Sequence, residues 1–292
     1  MFLEIGLTYW LSNGSQKDGM IMRVQGFDRG KFGGNFHTHN MITVPPGVDV
    51  VCYSNGGDYV RGMRYNLRQA TAGRIVMSYD STDLLNRRHL GEDDSGGGRD
   101  DLWLTAYPPR AEEGKDGKEE SELAYDDVIL YRGNWVSEKI GPIQVTPLTA
   151  TSALSTSSPP KLIIVTYGNG LPNALQAMKR LISQGLISSQ EIAVIDSPYL
   201  SSPPDSLKKI LTSLTASGKS SASQPAILFA DVCKEGSGMI FSGFAVMLQN
   251  EGVLPSSWRV IGSQPTYNPL GSVVTFLSSE DVEKASRALL SA

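Results

Sequence analysis

Short, continuous apolar segments separated by helical ones are the feature that most constrains the fold of this chain. KLIIVTYG (161–168), EIAVIDS (191–197) and AILFADV (226–232) are apolar along most of their length and do not alternate with polar residues. Such runs are typical of strands that are buried on both faces, as in parallel sheets covered by helices. The intervening residues 169–185 place apolar side chains at helical spacing. This half of the chain therefore predicts a doubly wound, mostly parallel sheet.

The remaining elements predicted in this half are a strand at 258–262 and helices at 203–218, 244–252 and 279–290. The front of the chain repeats the pattern on a smaller scale. Apolar runs at 19–24, 48–54 and 74–80 predict strands, and a helical segment at 58–70 separates the last two. A second layered α/β unit follows.

Two segments of different composition lie between these units. Residues 91–122 contain eleven acids and four bases, a net charge of −7, whereas the whole chain carries −4. Such a block indicates a solvated excursion or, alternatively, a docking segment. Residues 146–161, TPLTATSALSTSSPPK, have the composition of a linker. The predicted fold class is α/β, with two doubly wound, mostly parallel sheet units joined by an acidic loop and a Ser/Pro-rich linker.

The overall composition excludes several classes of protein. With 40% hydrophobic and 19% charged residues the chain is expected to be soluble and globular. The net charge gives no reason to bind nucleic acid. No apolar run approaches the roughly 20 residues that span a bilayer, so no membrane association is expected. Cys52 and Cys233 are far apart and lack a CxxC pattern, which predicts two reduced, packed thiols.

GKFGGNFHTHN (30–40) is the segment with the most residues suited to catalysis or ligand binding. Two glycines allow close backbone approach, and His37 and His39 are two of the three histidines in the chain. The segment is open to two interpretations, a site that moves a proton near neutral pH or a structural turn. A metal site is not predicted, because no third ligand lies nearby in the sequence.

Three other polar segments follow predicted strands. YGNG (167–170) lies where doubly wound sheets place ligands, but a tight turn explains it equally well. In ADVCKEGSGM (230–239), Asp231 is either structural or part of a site in which backbone amides meet an anion or a neighbouring subunit. Asp80 and Asp83 are expected to cap a helix or to pair with Arg87 and Arg88.

The order of these segments resembles the β subunits of thiamine-diphosphate-dependent 2-oxoacid dehydrogenases, with the branched-chain type most similar. FGGNFHTHN, PPGVDVVCYSNGGDYVRGMRYNLRQA and GRIVMSYDSTDLL are similar to the second half of the pyrimidine-binding domain of that family. KLIIVTYGNG, EIAVIDSPYLSSPP, ILFADVCKEGSGM, WRVIG and YNPLG are similar to its transketolase-type C-terminal domain. LWLTAYPP and DVILYRG resemble the connecting segment.

The resemblance implies three regions. Residues 1–92 are a partial pyrimidine-binding domain, incomplete at its N-terminus, 93–160 are an acidic insertion and linker, and 161–292 are a transketolase-type C-terminal domain. The sequence departs from the family pattern at Tyr53-Ser54, at Asp80, and at Asp196-Ser197-Pro198. The glutamate that contacts the cofactor in this family is expected upstream of Met1, so no cofactor-binding residue is assigned in this chain.

By resemblance, the chain is a β-type component that takes part in the oxidative decarboxylation of branched-chain 2-oxoacids with acyl transfer to a lipoyl group. His37 is the implied catalytic residue, and Gly33, Gly34, His39 and Asn40 form a loop that faces the substrate or the lipoyl group. Thiamine diphosphate and magnesium are the implied cofactors, held mainly by segments or a partner chain outside this sequence.

The implied partners are an α-type decarboxylase subunit or domain and a lipoyl acyltransferase, within a homo- or hetero-oligomer. The cytoplasm and the mitochondrial matrix both remain open as locations. Two alternatives stand beside this interpretation. One is a non-catalytic assembly or regulatory module that lacks the cofactor-binding front. The other is an enzyme similar to transketolase or to deoxyxylulose phosphate synthase, which share both domains.

Overall fold

The structure is a computed structural model. It describes the chain in nine ranges, which are residues 2–16, 19–27, 41–84, 122–133, 137–140, 160–215, 224–236, 238–265 and 276–291. Two sheets account for the described strands, one with three strands and one with six. Both are mostly parallel, which confirms the predicted fold class.

The smaller sheet belongs to the front of the chain. Its strands are parallel and lie in the order β1-β3-β2, with Ile75 opposite both Met20 and Val48. The bounds are α1 Phe2–Leu11, β1 Met20–Gly26, β2 Val48–Val51, α2 Gly56–Thr71 and β3 Ile75–Ser81. Asn55 begins α2 by accepting a hydrogen bond from the backbone N–H of Asp58. Helix α1 has no counterpart among the predicted elements.

The larger sheet has the order β5-β4-β7-β6-β8-β9. Strands β7, β6, β8 and β9 are parallel, whereas β4 runs antiparallel to both β5 and β7. The bounds are β4 Val128–Arg132, β5 Ser137–Ile140, β6 Leu162–Thr166, α3 Gly170–Ser183, β7 Ile192–Asp196, α4 Asp205–Thr215, β8 Ala226–Lys234, α5 Ile240–Asn250, β9 Trp258–Ser263 and α6 Ser279–Leu290.

Strands β4 and β5 come from the region between the two predicted units. The resemblance implies that 93–160 are an insertion and linker, yet 128–132 and 137–140 extend the larger sheet at one edge. Every residue of β4 before Arg132 is buried, so this part of the connection belongs to the core around the larger sheet. The boundaries of the three regions stay a prediction.

Helices cover both faces of the larger sheet. Residues of α4 and α5 pack with Ile163 and Val165 on one face, and residues of α3 and α6 pack with Leu162 and Ile164 on the other. Every residue of β6, β7 and β8 is buried, which explains why these strands are continuous apolar runs in the sequence.

The two sheets meet where the edge of β2 contacts the chain that follows β7. The backbone N–H of Leu200 donates to the carbonyl of Val50 at 2.8 Å, and that of Cys52 donates to the carbonyl of Pro198 at 2.9 Å. These bonds form an antiparallel bridge between Val51 and Tyr199. Both hydrophobic clusters therefore contain residues of the two units.

Two glycines in helices provide a test of the packing. A Cβ at Gly62 in α2 would overlap the Tyr53 ring, whereas a Cβ at Gly243 in α5 would meet nothing within 4 Å. We expect Gly62→Ala to lower the free energy of unfolding by about 1–3 kcal/mol through overpacking. Gly243→Ala is the matched control and should raise it by up to about 1 kcal/mol, because alanine favours helix. Urea unfolding measures both; equal effects of the two changes would contradict the packing of α2 on Tyr53.

Candidate functional site at the carboxyl ends of the strands

The order of the four parallel strands in the larger sheet defines a switch point. After β6 the chain forms β7 on one side of β6. It then crosses back over β6 and forms β8 and β9 on the other side of that strand. In open α/β sheets, ligands bind in the crevice at the carboxyl ends of the two strands where this reversal occurs. Here those strands are β6 and β8. Tyr167 directly follows β6, and Asp231 and Cys233 lie in the last part of β8.

The structure brings Tyr167 and Asp231 together. The Tyr167 hydroxyl donates a hydrogen bond to Asp231 Oδ1 at 2.6 Å and lies 3.3 Å from Cys233 Sγ. All three side chains are fully buried. The sequence drew attention to both segments separately but did not pair them. The available signal was that each follows an apolar run, since the carboxyl ends of neighbouring parallel strands meet at one edge.

Asp231 also binds a backbone amide in the first turn of helix α5. Its carboxylate accepts from the backbone N–H of Cys233 at 2.9 Å and from that of Phe241 at 2.8 Å. Burial raises the pKa of Asp231, and the hydrogen bonds from Tyr167 and the two amides partly offset that rise. The amide at the start of α5 is thus bound by a carboxylate of the chain itself. Of the two interpretations of Asp231, this favours the structural one.

The YGNG segment is a tight turn. Gly168 adopts φ +53, and a Cβ there would lie 2.7 Å from Cys52 Sγ. Only glycine fits this combination of backbone conformation and close approach. Both cysteines are free and buried, as the sequence predicts. Burial is the first cause of the raised pKa of each thiol, so neither is a thiolate nucleophile near neutral pH.

The predicted site residues Gly33, Gly34, His37, His39 and Asn40 lie outside the described residues, as do Arg87 and Arg88. Their roles stay predictions. The residues on either side of 28–40 are described, however, and both flanks contact the cluster formed by Tyr167, Asp231 and Cys233.

On the first flank, Phe27 is fully buried and packs edge-on against Tyr167, with ring centroids 6.5 Å apart. Phe27 has φ +57, an uncommon conformation for a residue other than glycine. On the second flank, Ile42 is buried in the same hydrophobic cluster as Tyr167 and Cys233, and the Thr43 N–H donates to the Tyr79 hydroxyl at 3.4 Å. The histidine-bearing segment therefore leaves and rejoins the described fold at the switch point.

A second buried carboxyl lies at the end of β7. Asp196 Oδ1 accepts from Ser54 Oγ at 2.8 Å, and Oδ2 has no hydrogen-bond partner among the described residues. Burial raises the pKa of Asp196 well above its usual range, and the nearby Asp58 carboxyl contributes in the same direction. Asp58 has its own partners, Asn55 Nδ2 at 2.6 Å and Arg61 at 3.3 Å.

Asp80 has a different partner from those expected. Its carboxylate accepts from Arg23 Nε at 2.8 Å, across the pairing of β1 with β3. Sequence reasoning considered only bases that follow Asp80 closely, and Arg23 precedes it by 57 residues. Asp83 is buried at the 3₁₀ turn that follows β3.

Within the described ranges, no group of three or more His, Cys, Asp or Glu side chains is arranged to hold a metal ion. None of the helices described is long and apolar enough to cross a bilayer.

No protein family model and no curated protein matches the sequence. Among solved structures, the chain is similar to a protein described as a split gene transketolase, inactive beta4 tetramer. The identity is 14% and the TM-score 0.51, over 93% of this chain and 66% of that one. It is also similar to a mutant transketolase from Pichia stipitis in complex with xylulose 5-phosphate, with 11% identity and a TM-score of 0.50 over 98% of this chain.

These similarities establish the fold, which is of the transketolase type. The chain spans 66% of the first of these structures and 33% of the second, so it corresponds to part of each. The resemblance found in the sequence is therefore confirmed for the fold. A relation to branched-chain 2-oxoacid dehydrogenases in particular is not shown.

The two buried carboxyls should respond differently to replacement by asparagine. Because the pKa of Asp196 is raised in the fold, the folded state keeps a proton that the unfolded state loses above about 3.8, the usual value. Stability from this group is present at low pH and falls as pH rises towards the folded pKa. Asp196→Asn should therefore flatten the pH dependence of unfolding above pH 3.8 by up to about 1.4 kcal/mol per unit.

Asp231→Asn is the contrasting variant. One amide oxygen replaces a carboxylate that accepts three hydrogen bonds, so stability should fall by about 1–3 kcal/mol for each donor left without an acceptor. Urea unfolding between pH 4 and 8 measures both variants. If Asp196→Asn leaves the pH slope unchanged, the Asp196 carboxyl is not protonated in the folded protein.

Proposed function

We propose that this chain is a β-type component of a thiamine-diphosphate-dependent 2-oxoacid dehydrogenase, in which branched-chain 2-oxoacids are decarboxylated and the acyl group passes to a lipoyl arm. The observation that carries the proposal is the packing of the two described flanks of the histidine-bearing segment. Phe27 and Ile42 both pack at the switch point of the larger sheet. Doubly wound sheets bind ligands at this point.

His37 is proposed as the catalytic residue, because an imidazole exchanges a proton near neutral pH without further tuning. Gly33, Gly34, His39 and Asn40 are proposed to shape the loop that faces the substrate or the lipoyl group. The described cluster at the switch point offers no competing group. Cys52 and Cys233 are buried thiols with a raised pKa, and Asp231 is fully engaged by protein donors.

Thiamine diphosphate is the cofactor that this proposal implies. The described residues do not fit its diphosphate and magnesium, because they contain no group of three metal ligands and because Asp196 and Asp231 are fully buried. The proposal therefore assigns the diphosphate and magnesium to an α-type partner chain or to segments outside this sequence. The similar split gene transketolase is described as an inactive tetramer of one chain type, which is compatible with a chain that needs such a partner.

Sugar transfer is the second candidate function. The two solved structures named above are transketolases, one of them in complex with xylulose 5-phosphate. A non-catalytic assembly module is the remaining alternative. Substrate turnover separates the three, since the first candidate needs a lipoyl acceptor, the second needs two phosphosugars, and the third has no turnover of its own with any partner.

The full chain can be combined with an α-type subunit and a lipoyl acyltransferase from the same source. We expect the lipoyl group to be acylated from 3-methyl-2-oxobutanoate, and mass spectrometry detects the acylated product. We expect no turnover of xylulose 5-phosphate with ribose 5-phosphate. His37→Ala should reduce acylation by about 100-fold or more, the usual contribution of a general acid or base. His89→Ala, which changes the third histidine of the chain, is the control and should leave the rate unchanged.

Phosphosugar turnover without lipoyl acylation would replace the dehydrogenase proposal with the transketolase one. Unchanged acylation by His37→Ala would remove the assigned role of that residue while leaving the proposed reaction in place.

A further inference from the structure

A cavity of about 310 Å³ lies at the amino ends of β2 and β3, the opposite end of the smaller sheet from the switch point. The first unit contributes the Pro45-Pro46-Gly47 turn before β2 and Arg74 immediately before β3. The segment after β7 contributes Tyr199 and Ser201. The cavity is therefore built at the junction of the two units, and its size is within the range of sites for small molecules.

One charged pair defines the polar side of this cavity. Arg74 donates to Asp49 through Nε and through Nη2, both at 2.6 Å, in the bidentate geometry that fixes a guanidinium. The Tyr199 hydroxyl donates to the same carboxylate at 3.0 Å. Asp49 thus accepts three hydrogen bonds and its side chain is only 3% exposed, whereas the Arg74 side chain is 47% exposed.

The exposed part of this pair is cationic. Arg74 binds Asp49 through Nε and Nη2, and its other terminal nitrogen, Nη1, has no hydrogen bond to any described residue. The guanidinium is always charged, and its hydrogen bond to Asp49 raises its pKa further. Arg74 and Asp49 are the charged residues among those lining the cavity, and the carboxylate is covered while the guanidinium edge is open.

The other wall of the cavity is apolar. Val44, Pro45 and Pro46 line it, and Trp10 of α1 packs over Gly47 at its rim. A ligand that satisfies both sides needs a negative group for the guanidinium edge and a short hydrocarbon part for this wall. A carboxylate can accept two hydrogen bonds at the open end of the guanidinium, from one N–H of Nη1 and from the N–H of Nη2 that does not face Asp49.

We propose that this cavity binds a small organic carboxylate with a short apolar chain, at a site separate from the histidine-bearing segment. The inference does not depend on the proposed function. Since both units form the cavity, an occupant contacts the two together and stabilises their association. A ligand that binds the folded chain alone shifts the unfolding equilibrium by mass action.

The probe for this site is 4-methylpentanoate, added to the full chain at constant ionic strength. We expect saturable binding by calorimetry with a Kd of about 1 mM, a value in keeping with so few ligand atoms. At 20 mM the unfolding temperature should rise by about 2–5 °C. Acetate lacks the apolar part and 4-methylpentanol lacks the charge, so each should bind at least tenfold more weakly.

Two variants test the two walls separately. Asp49→Asn with Arg74→Met removes the charged pair as a unit, so that no unpaired charge stays buried, and should abolish binding. Val44→Phe fills the apolar side and leaves the charged pair intact. It should therefore weaken the binding of 4-methylpentanoate by tenfold or more and leave the weak binding of acetate unchanged. Arg259→Met, at an exposed arginine of β9, is the control and should bind normally.

Several outcomes would overturn the proposal. They are the absence of saturable binding by the unaltered chain, equal binding of the alcohol, and an equal temperature shift in the folded double variant. Inorganic phosphate that binds as tightly as 4-methylpentanoate would also overturn it, because the site would then select charge and not the apolar chain. None of these outcomes bears on lipoyl acylation, so this proposal and the proposed function fail independently.

Discussion

The backbone pairing between the edge of β2 and the chain after β7 is the contact on which the remaining architecture depends. An open strand edge presents unpaired N–H and C=O groups, and here Val50 and Cys52 pair with Leu200 and Pro198. This pairing places Cys52 against the turn at Gly168. It also holds Tyr199 beside Asp49 at the opposite end of β2. Both candidate sites are therefore consequences of one junction between the two units.

Three buried aspartates show how the same side chain is accommodated in different ways. Asp49 accepts three hydrogen bonds, two of them from a guanidinium, so its charge is compensated. Asp231 accepts three hydrogen bonds from neutral donors, one of them a backbone amide in the first turn of α5. Asp196 accepts one from Ser54, and burial raises its pKa well above its usual range. Partner number and partner charge, and not burial alone, separate these environments.

The fold and the function stand at different levels of support. Similarity to transketolases over almost the whole chain establishes the architecture, although identities of 14% and 11% carry no chemistry with them. The chemistry has to come from residues, and the described cluster at the switch point is a packed support and not a reactive group. The proposed function rests on the two described flanks of the histidine-bearing segment, which pack against this cluster.

The sequence by itself predicted the strands of the smaller sheet, the four parallel strands of the larger sheet and helices α2 to α6, because burial on two faces demands continuous apolar runs and burial on one face demands helical spacing. It also predicted the two buried thiols, and a tight turn was one of the two interpretations that it left open for YGNG. Helix α1 and strands β4 and β5 were missed. Their apolar residues form short runs beside charged segments, and only a contact with a distant element distinguishes such runs from a loop.

Only the tertiary structure decided which polar residues meet. Tyr167 and Asp231 are 64 residues apart, Arg23 and Asp80 are 57 apart, and Asp49 and Tyr199 are 150 apart. Strand order and register set these pairs. A single sequence carries no record of strand order, because the same apolar runs are compatible with several arrangements of parallel strands. The sequence thus determined which residues are buried, and the strand order decided which buried residues became partners.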